Sequence, residues 1–314
     1  MATVVQYREL GGPEVLELAE VPTPQAAPDQ VVVEIRAAGV NPIEWKQRSG
    51  LRPTPPITEP RRLGSDGAGV IVQVGSAITG WSVGDPVIIK AGAGTYASHL
   101  ATTVDHLLEK PAVLSFEQAA AIGIPTSTAY QALKSLDVGA GTRLLIHGGS
   151  GGVGQAAVQF GRLWGAEVVA TAGPDNHDRL RELGAVPIAY GPGLLDRLRE
   201  IAPDGFDRIL DAAGTDEALE ASFALVDDRQ RIGTVVAGPR AAELGIQAWQ
   251  GGNPVPLTAE QQRWRDEAYA AVAELIASGD FELEISRSYP LAQVVEATRQ
   301  SESGHVRGKL VLIP

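Results

Sequence analysis

No cysteine occurs anywhere in the 314 residues. That absence removes disulfides, thiolate metal sites and a cysteine nucleophile together. Histidine is nearly as scarce. His99, His106, His147, His177 and His305 are the whole supply, and none stands in an H-E-x-x-H pattern. The expectation is a protein that works without a metal. Aromatic residues make up only 5% of the chain, so the core must rest on Ala, Val, Leu and Ile. No run of about 18 apolar residues is present to span a membrane. Met1–Leu10 also lacks the basic start and apolar stretch of a secretory signal. Positive charge is in deficit: 26 Lys and Arg stand against 38 Asp and Glu, a net charge of −12. Such a surface repels phosphate backbones and anionic lipids. Neither nucleic acid nor a membrane is an expected partner, and the expected location is the cytoplasm. A dinucleotide remains allowed, because a few local donors can hold its phosphates.

What is present falls into two textures. The first 110 or so residues alternate short β-branched runs with Pro and Gly punctuation. Val31–Ile35, Gly69–Gly75 and Asp85–Ile89 read as strands of a compact barrel-like or Greek-key unit. Ser115-Phe116-Glu117-Gln118 then has the spacing of a capping box opening an alanine-rich helix. Pro125 marks a second helix start. From Thr142 onward strand and helix alternate. Candidate strands are Arg143–His147, Glu167–Thr171, Pro187–Tyr190, Asp207–Asp211, Arg231–Val236 and Gly245–Trp249, with helices such as Gly152–Trp164 and Asp216–Val226 between them. That alternation predicts an α/β fold with a doubly wound parallel sheet. A helix over Thr258–Ser278 follows. Pieces at Phe281–Ser286, Pro290–Arg299 and Lys309–Ile313 are candidates to return to the first domain.

The chemistry is announced after the first of these strands. Gly149, Gly151 and Gly154 satisfy G-x-G-x-x-G between a strand and a helix. In that motif one glycine permits the tight turn, one lets backbone approach a pyrophosphate, and one lets the helix pack on the strand. The helix start adds free N–H groups and a positive dipole end. At the end of the next strand, where NAD enzymes place an acid on the ribose 2′-hydroxyl, stands Thr171-Ala172-Gly173. Without a carboxylate there, a 2′-phosphate is permitted, and NADPH is the expected cofactor. Asp66, between glycines, reads as a structural turn residue. His147 reads as a packed, hydrogen-bonded side chain. His305 and Lys309 are divided between a cleft role and a surface one. Trp249 is either ordinary core or part of a dimer seam.

Several blocks in order carry a resemblance over nearly the whole chain. They are Ala38–Lys46, Gly64–Val70, Gly80–Val87, Gly94–Ala97, Thr128–Leu133, the glycine turn and Gly304–Lys309. The chain resembles the zinc-independent medium-chain dehydrogenase/reductases, in the NADPH:quinone oxidoreductase and enone reductase branch. The resemblance implies a GroES-like β-barrel catalytic domain, residues 1–124 with a return over 262–314, and a Rossmann domain over 125–261. It implies a homodimer that reduces a small-molecule quinone or carbonyl substrate by hydride transfer. Zinc-dependent relatives carry a ligating cysteine where this chain has Asn41. The resemblance places Asn41 and Thr128 beside the nicotinamide, and Gly151, Gly152 and Val153 against the pyrophosphate. It puts Tyr190 near the adenosine 2′-phosphate. Gly149, Ser150, Gly154, Gly173, Asn176, His177 and Val236 complete the cofactor set. Ile43, Lys46 and Arg52 line the substrate cleft, with Lys46 a candidate proton source beside Asn41. Two departures stand out. Many relatives have a tyrosine at Arg52, and close relatives place a hydroxyl and a cation within the stretch that here reads Gly173-Pro174-Asp175-Asn176-His177. Two other readings stay open: a biosynthetic tailoring reductase or cyclase acting on an enoyl thioester or polyketide, and a non-catalytic NADPH-binding sensor.

Overall fold

The computed structural model describes residues 1–90, 92–249 and 255–314. Two compact units share the chain, one of residues 1–124 and 269–314, the other of residues 125–268. Along the chain the first unit begins with β1 (Ala2–Tyr7), β2 (Glu17–Val21), β3 (Gln30–Val40), α1 (Pro42–Arg48), β4 (Arg61–Arg62), β5 (Asp66–Val74), β6 (Pro86–Ile89), β7 (His99–Thr103) and β8 (Leu107–Glu109). Helical backbone α2 (Phe116–Ser135) follows. Next come β9 (Arg143–His147), α3 (Gly152–Leu163), β10 (Glu167–Ala172), α4 (His177–Glu182), β11 (Val186–Ala189), α5 (Leu194–Ile201), β12 (Arg208–Asp211), α6 (Asp216–Leu225), β13 (Ile232–Thr234), α7 (Gly238–Leu244) and β14 (Gln247–Ala248). The chain closes with α8 (Ala259–Ser278), β15 (Ile285–Pro290), α9 (Val294–Glu302) and β16 (Lys309–Ile313).

In the first unit β3 is the hub. Its apolar run pairs with β5 along one edge, and the other edge is shared by β7 near its start and β16 near its end. The register shifts twice between β3 and β5, bending the strand as a bulge does. Inward-facing Val31, Val33 and Ile35 meet Ile71, Val87, Leu100, Leu310 and Leu312 in one buried cluster. A small sheet of β2, β1 and β4 lies apart from this path. The late strands join this sheet, with β15 parallel to β16 and β16 antiparallel to β3. The strand anticipated at Phe281–Ser286 lies later, at Ile285–Pro290, and buried Phe281 belongs to the segment before it. Pro290 ends that strand, so the last helix starts at Val294 after a single tight turn over Leu291–Gln293.

The capping box at Ser115 forms in both directions. The Ser115 N–H donates to Gln118 Oε1 at 2.9 Å, and the Gln118 N–H donates to Ser115 Oγ at 3.1 Å. Helical backbone then runs to Ser135, broken only at Gly123, two residues before Pro125.

The second unit holds a six-stranded, all-parallel sheet in the order β11-β10-β9-β12-β13-β14. Counted within the unit this is 3-2-1-4-5-6, the doubly wound order, reversing between β9 and β12. Leu145, Val169, Ile209 and Ile232 form the sheet's share of a core completed by Leu198, Leu219 and Ala241 from the helices. Trp249, weighed as a seam residue, is 4% exposed and packs over Gly233 as core. Among the described residues no helix is long and apolar enough to cross a membrane.

Candidate functional site

The carboxyl ends of the parallel strands share one edge, and the strand order reverses beside β9. Ligands of such sheets bind at that point. The glycine turn stands there, and its glycines answer to different constraints. Gly148 takes the left-handed backbone at φ +80°, so the sharp turn falls one residue earlier than the motif suggests. A Cβ on Gly149 would lie 2.8 Å from Ala170 Cβ, which leaves only hydrogen room against β10. A Cβ on Gly154 would collide with the Gly148 carbonyl, so this glycine lets α3 close down on the turn. Gly151 differs. A Cβ there would meet only the Gly148 carbonyl oxygen, at 3.8 Å, so the space above it is open. Among the described residues no side chain caps the start of α3, whose first-turn N–H groups and positive dipole end suit an anion.

A row of buried polar residues underlies this edge. Thr171, His147, Asp211 and Thr234 are register partners in turn across β10, β9, β12 and β13. Thr171 Oγ1 accepts the Gly148 N–H at 3.2 Å, and the Thr171 carbonyl accepts the Gly149 N–H at 2.8 Å, so β10 holds the turn in place. The same hydroxyl lies 3.3 Å from His147 Nδ1. Burial pushes the His147 pKa down to about 4 and keeps the ring neutral. At the other end the Thr234 hydroxyl donates to Asp211 at 2.7 Å, and Asp211 accepts the N–H groups of Ala213 and Gly214. Burial raises the Asp211 pKa against those bonds.

At the end of β10, a Cβ on Gly173 would lie 3.4 Å from the Tyr190 hydroxyl and 3.9 Å from Asn176 Nδ2. These three expected cofactor residues therefore share one patch. Tyr190 is exposed, His177 Nε2 lies 3.3 Å from the Ala172 carbonyl, and Asp175 points to solvent. Val236 sits past the end of β13, beside Gly214. Thr128 is buried on α2. Ser150 presents its carbonyl to Gln155 Nε2 at 3.0 Å.

The first unit carries a second polar cluster that the sequence did not announce. Asn41 is 2% exposed, and its amide is committed on both sides. Nδ2 donates to Asp66 at 2.9 Å and to Glu44 at 3.3 Å, while Oδ1 accepts from the Lys309 ammonium. Lys309 also pairs with Asp66 at 3.0 Å. Glu44 accepts the Asn41 backbone N–H at 2.7 Å and the Tyr96 hydroxyl at 2.5 Å. Burial pushes the Glu44 carboxyl up, and burial together with Glu44 raises the Tyr96 phenol. Asp66 is thus no Asx turn. It lies in β5, bonds the Ile124 N–H and anchors the cluster, because a buried carboxylate needs a cation and donors. Lys309 is no surface residue, since β16 carries it inward at 5% exposure. One signal for the cluster was legible: Asn41-Pro42-Ile43-Glu44 has N-cap, N1 and N3 spacing.

These residues do not fit zinc. An ammonium already stands between Asn41 and Asp66, and it repels any further cation. Ile43, Lys46 and Arg52, the expected substrate residues, come from α1 and the turn after it. The Arg52 N–H donates to the Lys46 carbonyl at 2.9 Å.

Residues 27–118 match the family described as the alcohol dehydrogenase GroES-like domain, and residues 183–312 match the family described as zinc-binding dehydrogenase. The human quinone oxidoreductase is 33% identical over 98% of this chain and 97% of its own length. Among solved structures, the Escherichia coli quinone oxidoreductase complexed with NADPH has a TM-score of 0.85 at 27% identity, covering 99% of this chain and 100% of its own. An NAD-dependent alcohol dehydrogenase has a TM-score of 0.86 at 28% identity, covering 99% of each chain.

Proposed function

The chain belongs to the quinone oxidoreductase family of medium-chain dehydrogenase/reductases, and from that premise we propose that it uses NADPH to reduce a quinone or the activated C=C of an α,β-unsaturated carbonyl, without a metal. The observation that carries this reading is the open space over Gly151 at the head of an uncapped helix, next to a strand end with no acid. NADPH bound there supplies a hydride to the substrate. The backbone N–H groups of Gly151, Gly152 and Val153 hold the pyrophosphate, on a turn whose shape Gly149, Ser150 and Gly154 set. Gly173, Asn176, His177 and Tyr190 receive the adenosine end, where Ala172 leaves no carboxylate to repel a 2′-phosphate. Thr128 and Val236 line the nicotinamide end.

Asn41 is a wall residue of the reaction site in this reading. Lys309 and Asp66 fix its amide, so it enters the reaction pre-oriented at no entropic cost. Lys46 is the proton source. Burial, and then the charge of Arg52, lower its pKa. A donor so tuned gives up its proton more readily to the enolate or hydroquinone anion left by hydride addition.

The test is NADPH oxidation by the intact chain against quinones, enones and enoyl thioesters, with and without a chelator. Turnover on quinones or enones, unchanged by the chelator, is expected. Turnover on enoyl thioesters alone would transfer the assignment to the tailoring reductases. Tight NADPH binding with no turnover would leave the sensor reading. Loss on chelation, restored by zinc, would overturn the metal-free mechanism.

A further inference from the structure

Thr171 and Thr234 are buried on interior strands of a parallel sheet, where valine would fill nearly the same space with no polar atom to satisfy. Their hydroxyls reach the turns beyond the strand ends. Thr234 Oγ1 donates to Asp211 Oδ2 at 2.7 Å and accepts the N–H groups of Val236 and Ala237 at 3.2 and 2.9 Å. A hydroxyl has one proton to give and two lone pairs to receive, so Thr234 is fully engaged. Asp211 Oδ1 in turn accepts the N–H groups of Ala213 and Gly214 at 3.0 and 2.8 Å. One buried pair therefore ties down both the turn after β12 and the turn after β13. The two turns also touch. A Cβ on Gly214 would lie 2.9 Å from Val236 Cγ2, so the glycine makes room for that side chain. Val236 is half-buried between buried Val235 and Ala237, and of the three it keeps the most surface to offer a ligand. At the other end of the row Thr171 holds Gly148 through its hydroxyl and Gly149 through its carbonyl. Among the described residues no side-chain hydrogen bond joins His147 to Asp211. The row thus divides into Thr171 with His147 and Asp211 with Thr234.

We propose that this row sets the cofactor site in two separate pieces. Asp211 and Thr234 are positioning residues for the nicotinamide half of NADPH, acting through Val236, and Thr171 is the positioning residue for the phosphate half, acting through the glycine turn. The proposal rests on the reading of Val236 as a nicotinamide-end residue and of the glycine turn as the seat of the pyrophosphate. None of the three polar side chains touches the cofactor. They act because a turn already held in its bound shape has little freedom left to lose when the ligand arrives.

Calorimetry on the intact chain with two ligands tests it. NADPH carries both halves, whereas adenosine 2′,5′-bisphosphate carries the adenosine and phosphate end without nicotinamide. Thr234→Val is expected to raise the NADPH dissociation constant about fivefold and to leave that of the bisphosphate within about twofold of the parent. Thr234→Ser keeps the hydroxyl and should restore NADPH binding. Thr171→Val should weaken both ligands alike, because the 5′-phosphate of each rests on the glycine turn. Asp211→Asn keeps an oxygen for Ala213 and Gly214 but turns an amide donor toward Thr234. It should reproduce the split of Thr234→Val, and it carries the test if that variant does not fold. Equal weakening of the two ligands by Thr234→Val and Asp211→Asn would overturn the proposal, since a general loosening of the sheet moves both together. NADPH binding unaltered in folded Thr234→Val or Thr171→Val would also overturn it. A parent that binds neither ligand would instead remove the cofactor reading on which the proposal rests.

Discussion

The two units bury polar groups by opposite means. In the first, Glu44, Asp66 and Lys309 are charged or chargeable groups sealed with Asn41 and Tyr96, drawn from residues as far apart as 41 and 309. In the second, Thr171, His147, Asp211 and Thr234 form a row whose bonds stay close to the βα turns, and the histidine is kept neutral. The first arrangement depends on ion pairing, because its members are already out of water. The second depends on local hydrogen bonds and lies under a turn left open at Gly151. A sealed ionic cluster fixes geometry. An edge with unfilled N–H groups takes a ligand.

Breaking the ionic cluster should cost the most. Lys309→Met leaves Asp66 buried without its cation and is expected to lower stability by about 3–5 kcal/mol, read from the urea midpoint. Combining it with Asp66→Asn removes the stranded charge and should recover part of the loss. A double variant no more stable than Lys309→Met would show that the pair is not what holds this region.

The row that holds His147 should answer to acid instead. The His147 pKa is about 4 in the folded chain against an ordinary 6.5, so the unfolded chain binds the extra proton between those values. Stability therefore falls as pH drops from about 6.5 to about 4, by about 3 kcal/mol in all. Glu44 and Asp211 act in the opposite sense. Their raised pKa values favour the folded chain as acid is added. The difference between parent and His147→Leu isolates the histidine, and its slope should vanish in the variant. A profile unaltered by His147→Leu would mean that the ring is not held neutral.

The open turn is probed more gently. Gly151→Val adds a side chain where the fold has room, at φ −74°. It should leave the melting temperature in place and raise the NADPH dissociation constant at least about tenfold, or roughly 1.4 kcal/mol. Unchanged affinity in the folded variant would take Gly151 out of the site. The smallest effect is expected at Asp175, exposed beside Asn176. Asp175→Arg should tighten NADPH binding by about 1 kcal/mol, with little change for NADH. A parent that prefers NADH would refute the cofactor assignment, and equal responses of both cofactors would place Asp175 away from the phosphate.

These differences follow how much of each region could be seen in the sequence. The second unit was legible because its information is local. Arg143–His147 emerged with its predicted bounds, and the glycine turn sits between strand and helix as its spacing required. Short edge strands were overextended, since Gly245–Trp249 shrank to Gln247–Ala248, where a single neighbour limits pairing. The ionic cluster was hidden because Lys309 and Asp66 meet across 243 residues and neither sits in a periodic pattern that marks it as inward. Only the capping spacing of Asn41 and Glu44 was open to inspection. Lys46 and Arg52 were visible as family positions, but the fold-back of the turn that brings the Arg52 N–H to the Lys46 carbonyl needed coordinates.

The pairing of β16 with β3 sets an order of events on the ribosome. The sheet of the second unit can be completed once β14 has emerged. The first unit, although synthesised earlier, must wait for residues 309–313 to cover the edge of β3 and bring Lys309 to Asp66. Until then a nascent chain carries an unpaired strand edge and an acid without its base. The domain that starts first is therefore the one that finishes last, and it is the one a chaperone would have to shield.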